Sequence, residues 1–140
     1  ARLGLDHEIA PFFVDLPARI ANAHLVVCRS GASSVAELTV IGRPSVLVPL
    51  PHALDNDQKT NALGLEKAGG ATMAEQASLT PDKLADLITG LVRAPARLSA
   101  MAAAAKGEGC PDAVERLADL VEFIASGGKP ADFVSKELRP

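Results

Sequence analysis

An α/β fold built on a parallel sheet is the class this sequence predicts, and three observations carry the prediction. Leu25-Val26-Val27-Cys28 is a continuous apolar run, as a strand buried on both faces of a parallel sheet requires. A second run, Ser45 to Leu50, follows after enough chain for one crossover helix. Strand and helix patterns then alternate with no internal repeat. Only three or four strands can be counted, which is few for a doubly wound domain. The expected fold is therefore an incomplete Rossmann-like three-layer parallel sheet, with further strands upstream of Ala1.

In chain order, Ala1 to Glu8 is polar and lacks a clear period. Ile9 to Val14 reads as a short strand that Pro11 confines to an edge or an end. Asp15 is placed to cap a short helix running to about Ala23, with Pro17 in its first turn. After the strand Leu25–Cys28, the small residues Arg29-Ser30-Gly31-Ala32 allow a sharp turn. Ser34 and Glu37 have capping-box spacing and predict a helix from Ser34. Gly42 stands where a left-handed C-cap is needed, and Pro44 blocks continuation. Pro49 to Asn56 is a loop, Asp57 to about Ala68 a helix ended by Gly69-Gly70, and Ala71 to Glu75 a strand.

Thr80-Pro81-Asp82 marks another helix start, and Leu84, Leu87, Ile88, Leu91 and Val92 share one apolar face of it. An alanine-rich helix follows Pro95, from about Ala96 to Ala105. Gly107 and Gly109 then interrupt the chain before Pro111 opens a last helix, with Val114, Leu117, Leu120, Val121 and Ile124 as its expected buried stripe. Gly127 to Pro140 holds two glycines, two prolines and little apolar content, which predicts a flexible tail.

Composition narrows the function classes. Hydrophobic residues make up 48% of the 140 positions but aromatics only 3%, so aliphatic side chains and alanine must fill the core. A formal charge of −3 without basic clusters argues against nucleic acid as a partner. Two cysteines are too few for a disulfide framework and suit a reducing compartment, with Cys28 read as a small buried hydrophobe. No apolar run approaches the roughly 18 residues of a membrane span, and no signal-peptide pattern opens the chain. The first residue is Ala1 rather than Met, from which the chain is expected to be part of something longer.

Three groups of residues can carry chemistry. The Arg29–Ala32 loop, at the carboxyl end of a strand and the start of a helix, suits an anion held by backbone N–H groups with Arg29 adding charge; an ordinary strand-to-helix loop has the same pattern. Glu37 can close a capping box or accept bonds from a pair of vicinal hydroxyls, roles that compete for the same lone pairs. Asp57 and Gln58 can point into the crevice facing the first loop, where an amide and a carboxylate suit sugar hydroxyls, or can simply be a solvated helix start. His7, His24 and His52 show no metal-ligand spacing, neither cysteine has a CxxC partner, and none of the common hydrolase or P-loop motifs is present, so no metal is expected. The residues alone predict a phosphate- and polyol-binding edge and name no reaction.

The run VVCRSGASSVAEL…GRPSVLVPLPHALDNDQKTNALGLEKAGGA adds more. With Thr80-Pro81 and PDAVERLADLV, it closely resembles the C-terminal domain of the MurG family, over roughly Phe12 to Ile124. These are bacterial glycosyltransferases that add N-acetylglucosamine to lipid I to make lipid II. The resemblance implies the GT-B architecture, two Rossmann-like domains facing across a cleft. Residues 1–126 would be part of the donor-binding C-terminal domain and residues 127–140 the tail. It further implies that the Phe13 backbone pairs with the uracil edge, with Phe12 packing beneath, and that Gly31 and Ala32 stand beside the diphosphate and sugar. Arg29 and Ser30 belong to the same motif. Glu37 would accept the two ribose hydroxyls, Gln58 would bond hydroxyls of N-acetylglucosamine, and Asp57 stands where many relatives have Gln.

The family's glycine-rich GGS-type loop, and the N-terminal domain with the acceptor site, membrane-docking face and candidate general base, have no counterpart in this sequence. The expectation is a donor-binding part that is inactive by itself. In the full-length protein, lipid I would be bound through the missing domain and the enzyme would sit peripherally on the cytoplasmic face of the inner membrane. Transfer would invert the anomeric carbon of UDP-N-acetylglucosamine (UDP-GlcNAc), with no cofactor or metal. The competing expectation is a non-catalytic donor-binding subunit of a split UDP-sugar glycosyltransferase. An open sheet edge and apolar face would in either case favour self-association.

Overall fold

The computed structural model describes residues 4–51 and 56–133. The first three residues, residues 52–55 of the expected loop (His52 among them) and residues 134–140 of the expected tail lie outside the described residues. The element order is α1 (Leu16–Asn22), β1 (Val26–Cys28), α2 (Ala32–Ile41), β2 (Ser45–Leu47), α3 (Asp57–Lys67), β3 (Ala71–Met73), α4 (Pro81–Val92), α5 (Pro95–Gly107) and α6 (Ala113–Ala125). Short 3-10 turns lie at Gln76–Ser78 and Pro130–Asp132. The three strands form one parallel sheet in the order β1-β2-β3, with Val27 level with Val46 and Val46 with Thr72.

Alternation along β2 divides the core. Leu47 packs with Ile20 of α1, Leu38 of α2 and Ala62 and Leu65 of α3 on one face. Val46 packs with Leu91 of α4 and Met101 of α5 on the other. Both β2 side chains are fully buried, each stabilising the fold by about 1.5–3 kcal/mol over an exposed position. This is the three-layer arrangement expected of crossover helices on a parallel sheet. Two glycines are required by geometry. Gly42 ends α2 at φ +78° in the left-handed conformation, its N–H bonded to Leu38 O. A Cβ on Gly70 would lie 2.7 Å from Leu65 Cδ1 and 2.8 Å from Ala105 Cα, so α5 can approach β3 only because none is there.

Several expectations are corrected. Ile9–Val14 forms no strand; it runs as exposed irregular chain into α1, as Pro11 and the lack of a partner edge dictate. Asp15 precedes α1, but its side chain makes no cap and instead accepts from Arg19 Nε at 2.8 Å. The helix after β1 starts at Ala32, not Ser34. Gly31 takes the extended N-cap conformation (φ −61°, ψ 151°) straight after the strand, and Val35 N–H bonds to Gly31 O, so no capping box forms. β1 is not buried on both faces, because it is an edge strand and Val27 remains 43% exposed.

The strands stop at Leu47 and Met73 rather than Leu50 and Glu75; past one more ladder bond each, the Arg29 guanidinium takes the next two carbonyls, Val48 O and Pro49 O. Val92 lies outside the α4 face and is exposed. Pro111 sits in a turn and α6 begins at Ala113. The α6 stripe is not buried: Val114 is 77% exposed, Leu117 61% and Val121 58%, and Leu120 is only half-buried. Beyond it, Gly128 N–H returns to Phe123 O and the Phe133 ring packs on Phe123 at 5.6 Å.

Candidate functional site

Parallel strands deliver their following loops to one edge, so the residues after β1 and β2 meet at the carboxyl ends of the sheet. There Gly31 holds the N-terminus of α2 with no side-chain cap, and nothing lies within 4 Å of where its Cβ would be. Backbone N–H groups of the first turn, together with the positive end of the helix dipole, face that open space. They can hold an anion without help from a side chain.

Glu37 lies in the second turn of α2, half-buried, beside Pro17 and Val40 in a hollow of about 310 Å³ between α1 and α2. It makes no hydrogen bond or ion pair among the described residues, so the capping role that competed for its oxygens does not exist here. An unengaged carboxylate can accept from two neighbouring hydroxyls at once.

Gln58 opens α3 on the other side. Its Oε1 accepts from Leu50 N–H at 2.9 Å, which orients the amide and leaves its nitrogen free to donate. Asp57 is exposed, and its Oδ1 accepts from Gln58 N–H at 2.8 Å. A groove of about 470 Å³ between α2 and α3 is lined by Ala32, Val35, Asn61 and Leu65. A second hollow of about 270 Å³ lies at the ends of β2 and β3, between Pro49, Leu50 and the Lys59–Glu75 ion pair at 2.6 Å. Lys59 holds the Glu75 carboxyl below its ordinary pKa through that hydrogen bond.

Phe13 stands ahead of α1. Its ring lies under the Arg19 guanidinium, 4.2 Å from carbon to centroid, and Arg19 is held by Glu8 at 2.6 Å and Asp15. The backbone N–H and C=O of Phe13 have no partner among the described residues. Phe12, expected beneath it, is instead 77% exposed.

Arg29 and Ser30 are both spent on contacts within the fold, Arg29 at the surface and Ser30 inside. Arg29 donates to Val48 O and Pro49 O at 3.1 Å and to Gln76 Oε1 at 2.5 Å, joining the loops after all three strands. Ser30 is fully buried and its hydroxyl donates to Gln58 O at 2.8 Å. The structure thus joins the loop that carries Gly31 to the start of α3 at Asp57 and Gln58, through Ser30, and places Glu37 in a separate hollow against α1 and Phe13 against Arg19. Three residues that sequence reasoning did not single out support them: Arg19, Asn61 and Gln76. Arg19 is signalled by its four-residue spacing from Asp15, whereas the partners of Asn61 and Gln76 are distant in the chain and carry no local signal.

Comparison with known proteins bears on the family and the fold. The family model described as glycosyltransferase family 28 C-terminal domain matches residues 1–117. A Rhizobium johnstonii protein named UDP-N-acetylglucosamine--N-acetylmuramyl-(pentapeptide) pyrophosphoryl-undecaprenol N-acetylglucosamine transferase is 55% identical over 133 residues, 95% of this chain and 36% of its own length. Its Brucella canis namesake is 54% identical over 132 residues, 94% of this chain and 35% of its own. The chain therefore spans about a third of the length of the curated relatives it matches. Among solved structures, Acinetobacter baumannii MurG superposes with a TM-score of 0.77 and 35% identity, over 82% of this chain and 33% of that one. From the match to residues 1–117, the strong relatives and the shared fold, the chain belongs to the glycosyltransferase family 28 C-terminal domain family.

Proposed function

We propose that this chain is the donor-binding part of an inverting glycosyltransferase that moves N-acetylglucosamine from UDP-GlcNAc to lipid I, forming lipid II for peptidoglycan. The single observation that carries the reading is the uncapped N-terminus of α2 at Gly31, open to a ligand at the carboxyl edge of the sheet. The names of its relatives support the donor sugar and the acceptor class. In this reading the Phe13 backbone meets the uracil edge and Glu37 takes the two ribose hydroxyls. The N–H groups following Gly31 and Ala32 hold the diphosphate, and Gln58, with Asp57 beside it, bonds the sugar. Arg29 and Ser30 shape the loop that carries these contacts.

When the acceptor hydroxyl attacks the anomeric carbon, negative charge grows on the departing UDP. The α2 dipole and its first-turn N–H groups are already aimed at that charge and need no reorganisation. The acceptor would be held by a domain outside this chain, and the complete enzyme would work peripherally at the cytoplasmic face of the inner membrane. The described helices include none long and apolar enough to cross a membrane. The exposed stripe on α6 supports self-association of the chain.

Calorimetric titration of the chain with UDP tests this reading. Glu37→Ala should weaken UDP binding by about 10- to 100-fold, the loss of charged hydrogen bonds worth about 1.5–3 kcal/mol. With 2′-deoxy-UDP the same substitution should cost far less, since one of the two hydroxyls is already gone. A Glu37→Ala chain that binds UDP as the parent does would sink the assignment.

A further inference from the structure

We propose that Asn61, working with Ser30, is a positioning residue that sets the distance between the start of α3 and the N-terminus of α2. The inference rests on the donor-binding reading above. Two reciprocal hydrogen bonds cross from the loop after β1 to the first turns of α3. Ser30 Oγ donates to Gln58 O at 2.8 Å, and Asn61 Nδ2 donates to Ser30 O at 3.1 Å. Ser30 is fully buried, so neither its hydroxyl nor its carbonyl can turn to water if the partner is lost. The residue after Ser30 is Gly31, from which α2 starts, and the residue one turn before Asn61 is Gln58. The pair therefore fixes the two flanks of the site to each other through a few bonds.

The donor contacts divide across this brace. In that reading uracil, ribose and diphosphate fall to Phe13, the α2 N-terminus and Glu37, all on one side; the sugar, which also passes Gly31 and Ala32, takes its Gln58 contact from the other. UDP alone engages one flank, whereas UDP-GlcNAc spans both. Loosening the brace moves the sugar contact while leaving the nucleotide contacts in place, so its signature is a loss confined to the sugar. A general loss of folding stability would weaken both ligands alike.

The test is calorimetry of the chain with UDP and with UDP-GlcNAc, for the parent, Asn61→Ala and Asn61→Asp. The aspartate keeps the shape of asparagine but, when ionised, has no donor for the Ser30 carbonyl. Both variants should bind UDP within about twofold of the parent and UDP-GlcNAc about tenfold more weakly, as expected when one hydrogen bond from Gln58 to the sugar is lost. Equal weakening of the two ligands, or of neither, overturns the brace and leaves the donor reading intact. A parent chain that binds no UDP overturns the donor reading and the brace with it. A parent that binds UDP-GlcNAc no more tightly than UDP overturns the brace alone. Should these Asn61 variants fail to fold, Asn61→Ser, whose shorter side chain withdraws the donor from the Ser30 carbonyl, is judged by the same ratio of affinities.

Discussion

Cys28 and Cys110 differ in exposure. Cys28 ends β1 half-buried against the α2 side of the core, and burial pushes its thiol pKa up, so little thiolate is present near neutral pH. Cys110 is exposed in the turn before α6, where Arg116 Nη1 donates to its sulfur at 3.3 Å. A limiting amount of iodoacetamide at pH 7.5 (about one equivalent) should therefore label Cys110 first, with Cys28 labelled only on unfolding. Peptide mapping by mass spectrometry reads the order, and equal labelling of the native chain would contradict it. Cys28 was legible only in part, since an apolar strand neighbourhood predicts burial but β1 ends the strand order and leaves it half-buried. Glu37 was legible only as a pair of alternatives, since whether it caps depends on where the helix begins. That start depends on Gly31 adopting the N-cap conformation, which spacing cannot reveal. Ser30 and Asn61 were less legible still, since their bonds join segments far apart in the chain.

Among the elements, α3 and the turn into β3 contain two glycines with opposite demands. Gly64 lies inside α3, and nothing stands within 4 Å of an added Cβ. Gly70 is buried, where a Cβ would fall 2.9 Å from Ala105 N and closer still to Leu65. Gly64→Ala should stabilise the chain by about 0.5–1 kcal/mol through helix propensity, while Gly70→Ala should cost about 1–3 kcal/mol through overpacking. Urea midpoints compared at constant slope measure both; a Gly70→Ala midpoint at or above the parent's would show that α5 can simply move away. The helices were legible as elements because breakers are local, though the expected caps at Asp15 and Ser34 do not form. Thr80 caps α4 through Lys83 N–H at 3.3 Å, and Gly42 ends α2, both as expected. Strand ends were not, because they depend on a partner. Arg29 claims carbonyls that would otherwise extend the ladder, and its reach to Val48 and Pro49 is a contact across the fold.

At the scale of the molecule, amphipathic periodicity identified α6 but could not say what covers it. Val114, Leu117, Val121 and Ile124 recur at three- and four-residue steps, a stripe about 15 Å long that stays exposed. β1 leaves a second unsatisfied surface, because no strand pairs with its outer edge among the described residues and Val27 is exposed there. Either surface can draw two copies together, but they predict different responses to charge. A stripe of large aliphatic residues offers more apolar area than a three-residue edge, so α6 is expected to dominate. Light scattering on the purified chain should give a mass above 14.4 kDa that rises with concentration. Leu117→Glu with Val121→Glu should return it towards the monomer, and Val27→Lys should change it little. A mass of 14.4 kDa at every concentration would remove self-association altogether. If Val27→Lys instead gave the monomer, the contact would belong to the sheet edge, and two chains would be joined strand to strand rather than helix to helix.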